Sequence, residues 1–198
     1  APFYTTLAIW VGMTILVSLV KVHADAKGLG KLKPSQLYFG RYLTFFLLSQ
    51  VQTFIIVLGD LYLLKIQCVH QVSFIVTGAV TSLTFSLLIY SLTISFGDIG
   101  KALAVVVMVL QIAGSGGTYP IEALPAFFRA VYIFFPFPYA INAMRECIGG
   151  MYENTIGKCY ITLLLFGAAS LVIGLVIRKP FIRLNHFIEK RMEDTEML

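Results

Sequence analysis

Five runs of apolar residues, each close to the length that crosses a lipid bilayer, dominate the sequence. They cover residues 3–22, 42–64, 72–96, 102–114 and 159–177. A transmembrane helix needs about 20 mostly apolar residues, and the fourth run approaches that length only with the glycines that follow it. Charged residues make up 13% of the chain, against about 25% in soluble domains. We therefore predict an all-α integral membrane protein with five transmembrane helices.

The stretch from residue 114 to residue 150 separates the fourth run from the last one and cannot form one regular helix. It begins with a Gly-Ser-Gly-Gly segment and contains four prolines, and both residue types interrupt helices. Two apolar runs, 126–135 and 139–148, lie on either side of a Pro-Phe-Pro segment. Each would be about 15 Å long as a helix, half of a hydrocarbon core of about 30 Å. We predict a re-entrant helical hairpin that enters the membrane and leaves on the same side.

The distribution of lysine and arginine predicts how the helices are oriented, because cytoplasmic loops carry an excess of both. Of the 15 such residues, four fall on one side: Lys65, Arg129, Arg145 and Lys158. The rest fall on the other side: Lys21, Lys27, Lys31, Lys33, Arg41, Lys101, Arg178, Lys179, Arg183, Lys190 and Arg191. We predict a multi-pass protein of the cell membrane with its N-terminus outside, its C-terminus in the cytoplasm and its hairpin facing outward. The same rule accounts for the net charge of +5, which therefore does not indicate nucleic-acid binding.

The sequence divides into a transmembrane domain, residues 1–178, and a cytoplasmic tail, residues 179–198. Apolar side chains recur in the tail at helical spacing: Phe181, Leu184, Ile188 and Met192. This spacing predicts an amphipathic helix on the inner membrane surface. A frayed, solvated tail is the alternative beyond Arg191.

Four polar side chains within the predicted spans are candidates for function or for packing. Asp60 is the acid inside a span, and it lies about one turn before Lys65. An intramembrane acid is a functional candidate by default, although Asp60 is also close enough to the interface to reach water or pair with Lys65. Gln50, Gln52 and Gln111 lie deeper, and we favour hydrogen bonds between helices over substrate binding for them.

Small residues in two of the runs predict close helix packing, because they let backbones approach. Gly78, Ser82 and Ser86 recur at intervals of four in the third run, and Ser170 and Gly174 do so in the last. A chance pattern in a helix rich in serine and threonine is the alternative.

The predicted hairpin supplies most of the candidate functional residues. We assign a gate or contact role to Gly114, Gly116, Gly117, Pro120, Glu122, Pro125, Pro136, Pro138, Tyr139, Asn142, Arg145 and Glu146. Burying its charges unpaired would be costly, so they should pair with one another, cap carbonyls or line an outward opening. Anchoring at the membrane interface is the alternative, and we favour it for Arg129.

Enzyme, metal and cofactor signatures are absent from the sequence. It contains no GxxxxGK[ST] segment to hold nucleotide phosphates and no HExxH or GxSxG motif. Its three histidines lie in separate loops, and its three cysteines form no CxxC pair. We therefore predict neither catalysis nor a cofactor nor a metal site. Cys147 and Cys159 fall on the predicted outer side, where a disulfide and two buried free thiols are the alternatives.

The hairpin resembles a segment of the type 2 family of ABC exporter permeases. In that family a glycine-rich break and a Pro-x-x-Tyr-Ala-x-x-x-x-Arg segment form an outward re-entrant hairpin before the last span. Pro136 or Pro138, Tyr139, Ala140 and Arg145 match this segment. The wording Tyr-Pro-Ile-Glu-Ala-Leu-Pro at 119–125 and the Arg-Lys-Pro-Phe that begins the tail are similar to the YhgE/Pip branch, the phage infection proteins.

The resemblance implies a permease-like domain whose first span, of six in the family, is missing here. It implies export of an unknown substrate by a homodimer that a separate ATPase drives, with residues 24–40 in the position of the element that contacts the ATPase. In the YhgE/Pip branch a large extracellular domain precedes this region. The alternative function is therefore a membrane anchor or scaffold that presents such a domain to phage or serves a type VII secretion machine.

Overall fold

The computed structural model describes residues 1–20, 34–117 and 119–177, and this part of the chain is helical with no strand. The predicted amphipathic tail and most of the polar segment between the first two runs lie outside the described residues. The α-helices are α1 (Pro2–Leu19), α2 (Pro34–Leu58), α3 (Gln71–Phe96), α4 (Asp98–Gly114), α5 (Ala126–Val131), α6 (Phe137–Gly149) and α7 (Thr155–Val172). Wider π-helical turns, Gly59–Leu63 and Ile173–Ile177, continue α2 and α7, and short 3₁₀ turns cover Ile121–Ala123 and Tyr132–Phe134.

Four segments of the described chain are long and apolar enough to cross a membrane. They are Pro2–Leu19, Ser35–Leu63, Gln71–Phe96 and Thr155–Val176. Helix α4 corresponds to the fourth predicted span but has only 17 residues, or about 25 Å of helix. The all-α fold is thus confirmed with four candidate membrane spans, and the fifth span and the re-entrant path of the hairpin stay predictions.

Helix α3 lies at the centre of the bundle and contacts α1, α2, α4, α6 and α7. In its most apolar window 56% of the residues are buried, against 28–39% in the other three candidate spans. The buried glycine, serine and threonine residues of α3 let its neighbours approach closely. Ser82 Oγ donates to the Ser49 carbonyl at 3.3 Å, and an added Cβ on Gly78 would lie 2.7 Å from Val57 Cγ2. The predicted packing role is confirmed for Gly78 and Ser82.

Three helices begin at least four residues earlier than the apolar runs predict, and one of them is α7, which begins at Thr155 rather than at residue 159. Helix α2 begins at Pro34 rather than at residue 42, because the fixed φ of proline suits the first helical position. Helix α4 begins at Asp98 rather than at residue 102. Gly97, with φ of 60°, ends α3 and allows the chain to reverse at once.

The first arm of the predicted hairpin is less regular than its apolar run indicates. Helix α5 contains six residues and a 3₁₀ turn of three follows it. Pro136, at the N-cap of α6, prevents these turns from continuing into the next helix.

Helix α6 begins beside the midpoints of two long helices and ends at a surface turn. The Phe137 ring lies 5.4 Å from the Phe85 ring of α3 and 5.5 Å from the Trp10 ring of α1. At the other end, the backbone N–H of His70 donates to the Cys147 carbonyl at 3.0 Å. The turn between α2 and α3 therefore caps the end of α6.

Candidate functional site

Arg145 connects α6, the second arm of the predicted hairpin, to the glycine-rich break. Its guanidinium donates to the carbonyl of Gly116 at 3.0 Å and to that of Gly117 at 3.3 Å. A further bond reaches Asn142 Oδ1 at 3.3 Å. These carbonyls follow the end of α4 and have no place in a regular helix, so a cation is a suitable partner for them. Of the predicted alternatives, Arg145 caps carbonyls and does not pair with Glu146.

Gln111 makes the reciprocal contact from α4 to the start of α6. Its side-chain Oε1 accepts a hydrogen bond from the backbone N–H of Phe137 at 3.3 Å. This N–H is one of the four at a helix N-terminus that have no partner within the helix. Gln111 is fully buried, and its Nε2 has no hydrogen-bond partner in the described part of the chain.

These two contacts define a seam, where the last turn of α4 and the glycine-rich break meet α6. Gln111 bridges its buried base and Arg145 bridges its exposed mouth. Both helices also pack on α1. Ser115 lies in the chain between Gln111 and Gly116, is 5% exposed, and has a hydroxyl with no partner among the described residues.

The glycines of the break let neighbouring side chains approach the backbone closely, in addition to allowing unusual backbone angles. Gly116 has φ of 65°, a region that side chains rarely adopt. An added Cβ on Gly114 would lie 2.7 Å from the Phe128 ring of α5, and one on Gly117 would overlap the Phe3 ring of α1. The break therefore packs against α5 on one side and α1 on the other.

The remaining predicted hairpin residues do not converge on the seam. Glu146 Oε2 accepts a hydrogen bond from the Tyr152 N–H at 2.6 Å, and Tyr139 donates to the Ile133 carbonyl at 3.1 Å. Glu122 is exposed, as are Pro120 and Pro125.

Asp60 lies in the π-helical turn that continues α2 and contacts α1. The hydroxyl of Thr5 donates to its Oδ2, and no ion pair to Lys65 is formed in the described residues. Of the predicted alternatives, pairing with Lys65 does not occur, and the carboxylate contacts Thr5 of α1 instead. Such turns occur frequently at functional sites.

The other two candidate glutamines, Gln50 and Gln52, contact neighbouring helices. Gln50 Nε2 donates to the Ala79 carbonyl of α3 at 3.3 Å. The Gln52 amide lies against Gly12 of α1, where any added Cβ would overlap it. Both residues therefore lie at helix–helix contacts.

The three cysteines are free thiols, and Cys147 and Cys159 are buried. Sequence reasoning missed the role of Cys68. Its thiol donates to the Cys147 carbonyl at 3.2 Å, across a turn that sequence spacing does not bring near the hairpin. Burial raises the pKa of the Cys68 thiol, and a hydrogen bond from the His70 backbone lowers it in part. Within the described residues, no group of three His, Cys, Asp or Glu could hold a metal ion.

A family model described as ABC-2 family transporter protein matches residues 1–176. This match covers the whole bundle, including the seam. Members of such a family are membrane components of transporters that typically work with an ATPase, and are not enzymes in themselves.

The chain is also similar to a longer curated protein. It is 29% identical over 147 residues to the uncharacterized protein YhgE of Bacillus subtilis (strain 168). The match covers 74% of this chain and 19% of that relative, so the chain spans about a fifth of the length of YhgE. No solved structure matches the chain. The resemblance to the YhgE/Pip branch of type 2 ABC permeases is confirmed, and the chain belongs to the ABC-2 transporter family.

Proposed function

We propose that the chain is the permease half of an exporter in which the hairpin is the outward-facing gate. The observation that carries this proposal is the reciprocal pair of caps. Helix α4 caps the start of α6 through Gln111, and α6 caps the broken end of α4 through Arg145. A membrane anchor needs no such break, since an unbroken helix satisfies its own backbone groups.

The contacts of α6 support a path that enters the membrane and returns. Its 13 residues make a helix of about 20 Å, shorter than the hydrocarbon core of about 30 Å. It begins beside the centres of α1 and α3 and ends at the turn that joins α2 to α3. Phe128 of the first arm meets Gly114 at the end of α4, so the chain descends from there to the start of α6.

The orientation in this proposal places the hairpin, Glu153 and the α2–α3 turn outside the cell. In a variant whose native cysteines are replaced by serine, a membrane-impermeant maleimide should label Glu153→Cys in intact cells. It should label Asp98→Cys only after permeabilisation, because Asp98 lies at the opposite end of α4 from the hairpin. Both positions are exposed. Labelling of both without permeabilisation would contradict the orientation.

The proposed export requires a separate ATPase and a second copy of the chain. We expect the complex isolated from native membranes to contain two copies of the full-length protein and an ATP-hydrolysing subunit. The purified chain alone should not bind ATP, since its sequence has no phosphate-binding loop. Measurement of hydrolysis and of particle mass tests both points. Isolation of full-length protein free of any ATPase would favour the anchor or scaffold function instead.

A further inference from the structure

Two cysteines adjoin where the α2–α3 turn covers the end of α6. The Cys68 thiol donates to the Cys147 carbonyl at 3.2 Å, and the His70 N–H donates to the same oxygen at 3.0 Å. The turn therefore contacts one carbonyl at two points, which fixes Cys68 beside Cys147 although 79 residues separate them in the chain. Such proximity is what a disulfide requires, because its two Cα atoms usually lie about 4.4–6.8 Å apart.

The two thiols differ in how accessible they are. Cys68 is half-buried and lines an open recess of about 690 Å³ on the α2–α3 turn, together with the side chains of Lys65 and Gln67. Cys147 is fully buried, and its thiol shares a hydrogen bond with Thr77 Oγ1 at 3.3 Å. A reagent in the recess can therefore reach Cys68 before it can reach Cys147.

We propose that Cys68 and Cys147 are a thiol pair that closes to a disulfide when a small disulfide enters the recess. The Cys68 thiolate attacks one sulfur of that molecule, which forms a mixed disulfide and releases one thiol. The Cys147 thiol then loses its proton, turns away from Thr77 and attacks the Cys68 sulfur, which releases the second thiol. The protein loses two electrons and two protons, and the small disulfide takes up both as it is reduced to two thiols.

The new bond replaces a hydrogen-bonded cap with a covalent link between α6 and the turn. Helix α6 also carries Arg145, which holds the glycine-rich break, so oxidation restricts the movement of the hairpin. The orientation in the proposed function puts the pair outside the cell, where disulfides persist. The exchange itself requires neither that orientation nor transport, so its failure would leave the proposed function intact.

Oxidised glutathione is a suitable probe, because its carboxylates can pair with the Lys65 ammonium beside Cys68. When purified, reduced full-length protein is treated with it, we expect the peptides that carry Cys68 and Cys147 to become linked. Mass spectrometry detects this link as a loss of two hydrogen atoms. The midpoint of thermal unfolding should rise, since the link joins residues 79 apart and constrains the unfolded chain. Dithiothreitol should reverse both changes.

The variant Cys147→Ser separates the two steps of the exchange. It keeps Cys68 in the recess but removes the second attacking thiol, so a glutathione adduct on Cys68 should persist in this variant and be lost from the unmodified protein. Cys68→Ser should form neither the adduct nor the link. Cys159→Ser is the matched control, because Cys159 is also a buried thiol, and it should react as the unmodified protein does.

The proposal is overturned if the treated protein contains no link between the peptides of Cys68 and Cys147, or if Cys147 is joined to Cys159 instead. It is also overturned if a stable adduct remains on Cys68 in the unmodified protein, because Cys147 would then lie out of reach of the mixed disulfide.

Discussion

The substitution Gly100→Ala is expected to leave little folded protein in the membrane. The first turn of α4 packs directly on the last turns of α3, backbone against backbone. A Cβ on Gly100 would overlap the Leu92 carbonyl oxygen and lie 2.6 Å from the Leu92 carbonyl carbon and 2.9 Å from Thr93 Cα. These atoms cannot rotate away, so α3 and α4 must separate. We expect a loss near the upper end of overpacking effects, about 3 kcal/mol.

Gly40→Ala is the matched control for this substitution. Gly40 lies within α2, and apart from the backbone of that helix no atom of the described residues comes within 4 Å of the position that its Cβ would occupy. Alanine should stabilise that helix by about 0.5 to 1 kcal/mol. Fluorescence-detected size exclusion after stepwise heating compares the two variants. Equal retention of the folded peak by both would show that α3 and α4 are not in backbone contact at Gly100.

The substitution Arg145→Ala is expected to abolish the activity of the full-length protein while the protein still inserts. It removes the bonds to Gly116 and Gly117 that hold the break against α6. Hydrogen bonds from a charged donor contribute about 1.5 to 3 kcal/mol, and the exposure of Arg145 places this case at the low end. Hydrogen exchange of amides 114–125 should therefore quicken, and the ATP hydrolysis of the complex proposed above should be lost.

Arg129→Ala controls for loss of a positive charge on the same hairpin, since Arg129 is also exposed. It should leave exchange and activity near those of the unmodified protein. Replacement of Gly116 and Gly117 with leucine should reproduce the effect of Arg145→Ala, because Gly116 has positive φ and Gly117 lies against Phe3. Full activity of both hairpin variants at normal surface levels would contradict the gate role and leave the hairpin with a packing role only.

The extent of the fold that is readable from sequence depends on how sharply each run ends. Helix α3 matches its apolar run to within one residue, because polar residues bound that run on both sides. The start of α2 was missed because residues 34–41 mix Leu37, Tyr38 and Phe39 with polar residues, proline and glycine, and hydrophobicity alone does not distinguish such a mixed extension from a loop. The glycines and prolines correctly located the broken stretch. They did not specify that its first arm would split into short turns.

The candidate site was only partly predictable for a similar reason. Arg145 was identified because it matches a family segment, and carbonyl capping was one of its predicted alternatives. The contact of Gln111 with the Phe137 N–H was not foreseen, since 26 residues separate them and the bond depends on how the hairpin folds back. The thiol of Cys68 was missed because its partner is a carbonyl, which no side-chain pattern reveals.

The cap on the end of α6 couples movement of this helix to the turn between α2 and α3. A helix usually leaves its last carbonyls to water or to its own following residues. Here the N–H groups of Val69 and His70, which belong to the α2–α3 turn, reach Ile148 and Cys147 instead. A shift of α6 along its axis must therefore pull on a turn that is fixed to α2 and α3. Those two helices extend to Pro34 and Phe96 at the far end of the bundle. A displacement of α6 would therefore move the helix ends on that side as well.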